Sequence, residues 1–311
     1  MLDVPSTISR LCYLLTMFFN SSLILLTLHH TKEIVGTYRN MIITFAVIGI
    51  SFSTLDILVR PLFYSFNGCV LYFTLGSAFR SSKILSELSL LLYAGGYAVI
   101  LAFLAVQFVY RASVLARPKW TRYFAGWRLI YGLLYSLLVG LIWAYAASLN
   151  YPDTNSLDYL RDEMLDSYGV EINSVAGFAV LAYYSIMLYS GVTMYQNIKE
   201  SMNTSSSYYA RLQKQFFLTL VYQVTAPSLL FHAPAFIVLV APFFDFKFSF
   251  HSGFIIYGFS AYPLVDSLIV LSVISEYKMV FKRWTLWLMK DCYKCLGVPR
   301  QQPQVSISAT P

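Results

Sequence analysis

Apolar residues collect in seven long runs, 11–28, 40–60, 86–108, 129–148, 174–196, 215–241 and 250–274, with short polar segments between them. As helices rising about 1.5 Å per residue, runs of this length cross a hydrocarbon layer about 30 Å thick. Backbone groups in hydrocarbon must bond internally, which leaves helices or a closed barrel. The unbroken apolar stretch from Leu88 to Val109 selects helices over the alternating strands of a barrel. The first run resembles the apolar part of a signal peptide, but it is long, contains Asn20 and has no small-residue cleavage pattern after it, so it reads as a retained helix. The predicted fold class is an all-α membrane protein, a bundle of seven transmembrane helices.

Composition sharpens this reading. Of 311 residues 58% are hydrophobic, and only 22 Lys+Arg and 15 Asp+Glu carry charge, against roughly a quarter charged in ordinary globular chains. That is too little charge for a soluble enzyme, a disordered chain or a nucleic-acid-binding domain. The net charge of +7 is explained by distribution. With the N-terminus outside and the C-terminus cytoplasmic, sixteen of the 22 basic residues fall in the inner segments 29–39, 111–128, 197–214 and 275–311. The outer loop between the fourth and fifth runs holds Asp153, Asp158, Asp162, Glu163, Asp166 and Glu171. The basic partner is therefore the lipid bilayer, with its anionic inner leaflet, and not nucleic acid. The expected organisation is a short extracellular N-terminus (1–10), a transmembrane domain (11–274), an amphipathic cytoplasmic segment (275–298) and a disordered tail (299–311).

Catalytic and metal chemistry find no support. The histidines His29, His30, His232 and His251 form no metal-binding spacing, and no phosphate-binding loop is present. No cofactor, no metal and no enzymatic activity are expected. Cys12 and Cys69 both lie toward the outer side, and their pairing is left open. Cys292 and Cys295 follow the amphipathic segment and are candidate lipidation sites, with free thiols as the alternative. Asn20 and Asn203 open N-x-S/T sequons, one inside a span and one in a cytoplasmic loop, so neither is expected to be glycosylated.

Ionisable residues in spans are costly unless paired or set in a polar cavity. Asp266 in the seventh run is the strongest candidate for an internal network reaching the first and second runs, with Asn20 as a partner, against the alternative of a static packing link. Asp56 and Glu87, near the outer side, are candidates for ligand contact or for pairing with Arg60 or Lys83. Pro227 and Pro234 in the sixth run and Pro263 in the seventh remove helical hydrogen bonds, giving kinks that carry a shift inward or simply shape the bundle. Glu87, Tyr93, Tyr97, Tyr183, Tyr184, Phe231, His232 and Phe236 form the candidate ligand-binding set, an aromatic pocket with a few polar contacts, although core or lipid-facing packing is the default for each ring. Arg111, preceded by Tyr110, ends the third run at the inner side, where it serves a partner or acts as a positive stop.

Four short motifs, in order on these runs, carry a resemblance. They are Gly36-Thr37-Tyr38-Arg39, Phe108-Val109-Tyr110-Arg111, Tyr262-Pro263-Leu264-Val265-Asp266 and Ser275-Glu276-Tyr277-Lys278. With them the chain resembles the nematode seven-transmembrane chemoreceptors of the Str superfamily, which include diacetyl-receptor-like serpentine receptors, over nearly its whole length. The resemblance implies a G-protein-coupled olfactory receptor in the ciliary membrane of a chemosensory neuron. Its partners would be a small odorant or soluble chemical cue and a heterotrimeric G protein, with homo- or hetero-oligomerisation left open. It assigns Tyr110 and Arg111 to the inner motif of the third helix, and Pro263 and Asp266 to that of the seventh. Gln107 stands where the family often has histidine, Ala112 where it often has tyrosine, and Ser267 where it usually has proline. The competing readings are a ligand-gated channel or transporter, and a receptor-like trafficking or structural protein.

Overall fold

The computed structural model describes residues 3–29, 36–66, 69–75, 77–79, 82–116, 124, 126–149, 176–179, 208–234 and 253–295. Its helices are α1 (Asp3–His29), α2 (Gly36–Val59), α3 (Lys83–Ala116), α4 (Leu129–Ser148), α5 (Tyr208–Pro227), α6 (Gly253–Val273) and α7 (Ser275–Cys295). The first four follow the first four apolar runs; α5 and α6 belong to the sixth and seventh. Five helical stretches among the described residues are long and apolar enough to cross a membrane, with a shorter apolar helix at Leu218–Leu230. The architecture is a multi-pass helical bundle.

A small sheet departs from the all-α expectation. Strands β1 (Pro61–Phe66), β2 (Cys69–Thr74) and β3 (Ala176–Ala179) pair antiparallel in that order, with Pro61 opposite Thr74 and Leu71 opposite Ala179. Two local causes set it up. Pro61 follows the last turn of α2 and has no N–H to extend the helix, yet it is tolerated at the start of an edge strand. The segment after it is rich in Phe and Tyr, which favour a pleated surface. The chain turns at Arg60 through a left-handed conformation (φ 49°), its N–H still bonded to the Asp56 carbonyl at 2.9 Å. The carbonyls left over at the end of α2 are taken up from the same region: the Thr74 hydroxyl donates to Val59 at 2.6 Å and the Ala78 N–H to Leu58 at 2.8 Å. At 176–179 strand replaces the helix expected to begin at 174, because β2 offers that segment a pairing edge. The rest of the fifth run lies outside the described residues.

Two apolar clusters fill the bundle. One joins α2, α3, α5 and α6 through Met41, Phe45, Phe103, Leu104, Leu220 and Tyr262. The other joins α1, α2, α6 and α7 through Leu23, Ile42, Val270, Ile274 and Tyr277. Tyr110 packs against both. Helix α4 meets α3 by backbone approach: a Cβ on Gly95 would stand 2.7 Å from the Gly140 carbonyl oxygen, and one on Gly140 would stand 2.5 Å from a Val99 methyl. Elsewhere α4 presents exposed Tyr131, Leu134, Leu138, Leu141 and Tyr145, an apolar surface suited to lipid. Helix α7 runs back along α1, with Tyr277 hydrogen-bonded to Thr27 at 2.8 Å, and Phe281 and Trp284 near Phe19 and Phe18.

Candidate functional site

Three polar stations lie along the bundle. The first is near the sheet. Tyr93 and Tyr97 are four residues apart on α3 and so share a face; both are buried. The Tyr97 hydroxyl and His232 Nε2 are 2.8 Å apart. His232 is placed by the break in helix geometry after Pro227, where five residues, Ser228–His232, form a π turn. Phe259 of α6 packs edge-on against Tyr97, centroids 4.9 Å apart, and Phe52 of α2 lies 4.8 Å from Tyr93. The sheet closes this layer: Phe63 stacks on Tyr72 at 4.7 Å and on Phe259 at 6.3 Å, and the Tyr72 hydroxyl donates to the Leu90 carbonyl.

Asp56 is buried beneath this aromatic layer, one helical turn beyond Phe52. Ser260 donates to its Oδ2 at 2.7 Å, while Oδ1 has no hydrogen-bond partner among the described residues. The Tyr93 hydroxyl faces the same carboxyl and acts on it as a donor, in a geometry that falls short of a full hydrogen bond. Asp56 thus accepts from Ser260, while Arg60, one of the alternative partners, is exposed at the left-handed position.

The second station explains the prolines. Pro227 cannot donate to Gln223, and the carbonyl it frees receives the Tyr262 hydroxyl of α6 at 3.4 Å. Asn20 of α1 donates to the Thr16 carbonyl at 3.1 Å and to the Pro263 carbonyl at 3.2 Å. Asn20 therefore reaches the proline turn of α6 and not Asp266, the partner expected from residue type. Asp266 instead lines a cavity of about 10 Å³ with Gln107 and Gln223, roughly the room one water needs. Its Oδ1 and the Gln107 Nε2, an acceptor and a donor, are both unpartnered among the described residues.

The third station is at the other end. Tyr110 meets Phe124 edge-on at 5.6 Å. Gln215 of α5 accepts from the Ser275 hydroxyl at 3.1 Å and from its N–H at 3.3 Å, tying α5 to the start of α7.

Of the candidate ligand set, Tyr93, Tyr97 and His232 come together. Glu87 is partly exposed on α3, six residues before Tyr93. The side chain of Phe231 and all of Tyr183, Tyr184 and Phe236 lie outside the described residues. Pro227 and Pro263 are buried, and Pro234 is half-buried. Arg111, Cys292 and Cys295 are on helices, their side chains outside the description, as is that of Cys69; Cys12 is a free thiol among the described residues. Sequence reasoning missed Phe52, Phe259 and Ser260. Phe52 was within reach of it, since the four-residue step from Asp56 puts it on the same helix face.

A bundle of long apolar helices with polar groups buried between them is the construction of a multi-pass membrane protein. The profile of the family described as "Serpentine type 7TM GPCR chemoreceptor Str" matches residues 5–185 and 182–282, and the chain belongs to that family. It is 36% identical over 308 residues to "G-protein coupled receptor str-33" of Caenorhabditis elegans, covering 89% of each chain. It is 24% identical over 293 residues to "Serpentine receptor class r-10" of the same species, covering 85% of this chain and 86% of that one. The r-10 protein of Caenorhabditis briggsae is 24% identical over 319 residues, covering 92% of each.

Proposed function

We propose that the protein is a G-protein-coupled chemosensory receptor with seven spans, its N-terminus outside and C-terminus cytoplasmic. A small extracellular chemical binds near Tyr93, Tyr97 and His232, and Arg111 with the loops 111–128 and 197–214 engages a heterotrimeric G protein. The chain catalyses nothing itself; its output is nucleotide exchange on that partner, from the ciliary membrane of a chemosensory neuron. The observation that supports this reading is the series of polar links between helices along the bundle. Tyr97–His232 links α3 to the π turn, Tyr262 links α6 to the carbonyl freed by Pro227, and Gln215 links α5 to α7. A ligand that prefers one arrangement of the outer rings shifts the population of the whole assembly by its difference in affinity for the two states. Family membership supports the chemosensory role.

The test is expression with a panel of volatile and water-soluble compounds, reading G-protein activation beside membrane current. A ligand-dependent G-protein signal without current is expected. Current or substrate flux that persists without any G protein would establish a channel or transporter instead.

A further inference from the structure

A carboxyl group at 3% exposure is expensive to hold inside a membrane bundle, and an ion left unpaired there costs several kcal/mol on the general scale. Asp56 has one neutral donor, Ser260, on Oδ2 and none on Oδ1. No cationic side chain of the described residues acts on it; the groups that do are Ser260 and Tyr93. Five rings surround the same place. Phe52 is 4.8 Å from Tyr93 and 6.4 Å from Tyr97, Phe259 is 6.4 Å from Tyr93, and Tyr72 lies within electrostatic range of the carboxyl. A buried carboxyl with one oxygen short of a full hydrogen bond, a phenol facing it and a cluster of aromatic rings are complementary to one kind of group. An ammonium has N–H donors for both oxygens and is attracted to ring faces, while an attached alkyl chain replaces water against the rings.

We propose that Asp56 and Tyr93 form the anchor for a small alkylammonium ligand. One N–H donates to Asp56 Oδ1 and a second to the Tyr93 hydroxyl oxygen. The alkyl part lies among Phe52, Tyr97 and Phe259. Entry requires the Phe63–Tyr72 pair of the sheet to move aside, since that pair covers the ring layer. Ser260 acts as a positioning residue by holding Oδ2 and leaving Oδ1 directed to the ligand. The inference rests on the chemosensory reading above and names the ligand class of that site.

The probes are primary alkylamines of two to eight carbons, protonated at neutral pH, against the alcohols of equal length. In cells carrying the full chain and a G-protein reporter, amines are expected to act at least tenfold more potently than the matched alcohols. Asp56→Asn should weaken the amine response by about thirtyfold or more, and Tyr93→Phe by about tenfold. Should Asp56→Asn fail to reach the surface, the purified wild-type receptor decides: hexylammonium raises its melting temperature and hexanol at equal concentration does not. Equal effects of amine and alcohol, no effect of either on melting, or an amine response untouched in surface-expressed Asp56→Asn would overturn the proposal. If neutral compounds alone drive the G protein, the anchor is wrong and the receptor reading stands. If amines drive a current without a G protein, the anchor stands and the receptor reading falls.

Discussion

At the residue scale, the bundle's side-chain hydrogen bonds go mainly to main-chain carbonyls, and two that join different helices fall at proline turns. Asn20 spans α1 and α6 by donating to the Pro263 carbonyl as well as to Thr16 in its own helix. Asn20→Leu removes both bonds from a 1% exposed site and is expected to cost about 2 kcal/mol of stability, seen as a lower melting temperature in detergent. Arg60 sits at φ 49° with its side chain exposed. Arg60→Gly relieves the left-handed strain and is expected to stabilise by about 1 kcal/mol, measured the same way. The special character of Asn20, Pro263 and Asp266 was legible in the sequence, because polar residues and prolines stand out in apolar runs. Their partners were not. A side-chain partner is inferred from residue type, whereas the acceptor that Asn20 uses is a backbone carbonyl brought within reach by the turn at Pro263.

At the scale of elements, continuous apolar runs identified α1, α2, α3 and α4, with α2 and α4 ending close to the expected bounds, while α1 starts at Asp3 rather than 11 and α3 runs on to Ala116 rather than 108. The runs gave no element to the stretch after α2. There the competing signals were local: a proline that stops the helix and aromatic and β-branched residues that pair as strands, closed by long-range pairing to β3. The close fit of α3 and α4 was hidden for another reason, because Gly95 and Gly140 lie 45 positions apart and meet only through tertiary packing. Gly140→Val puts a branched side chain where a Cβ already stands 2.5 Å from Val99 and 2.9 Å from the Gly95 carbonyl. It should separate the two helices and cost about 1–3 kcal/mol, lowering both melting temperature and surface expression; Gly126→Ala, in open space, tests only backbone strain at φ 62°.

At the scale of the whole molecule, orientation comes from charge rather than from packing. The proposed orientation, N-terminus outside, follows from sixteen of 22 basic residues falling in the segments it makes cytoplasmic, and Asn203 tests it: no glycan is expected there, by mobility before and after glycosidase treatment. Half of the candidate ligand site was legible, in Tyr93, Tyr97 and His232, because aromatic and polar residues at helical spacing mark a shared face. Phe259 and Ser260 were not, since nothing in the sequence says which face of α6 meets α2 and α3. The signalling reading makes Arg111 the contact to the G protein, at the end of the helix that also carries Tyr93 and Tyr97. The most direct measurement is ligand-stimulated nucleotide exchange on a heterotrimeric G protein by wild type and Arg111→Ala receptors matched for surface expression. Exchange is expected to rise with ligand in the wild type and to fall at least tenfold in Arg111→Ala, with ligand binding retained. An undiminished response in Arg111→Ala that also survives in cells lacking heterotrimeric G proteins would contradict it.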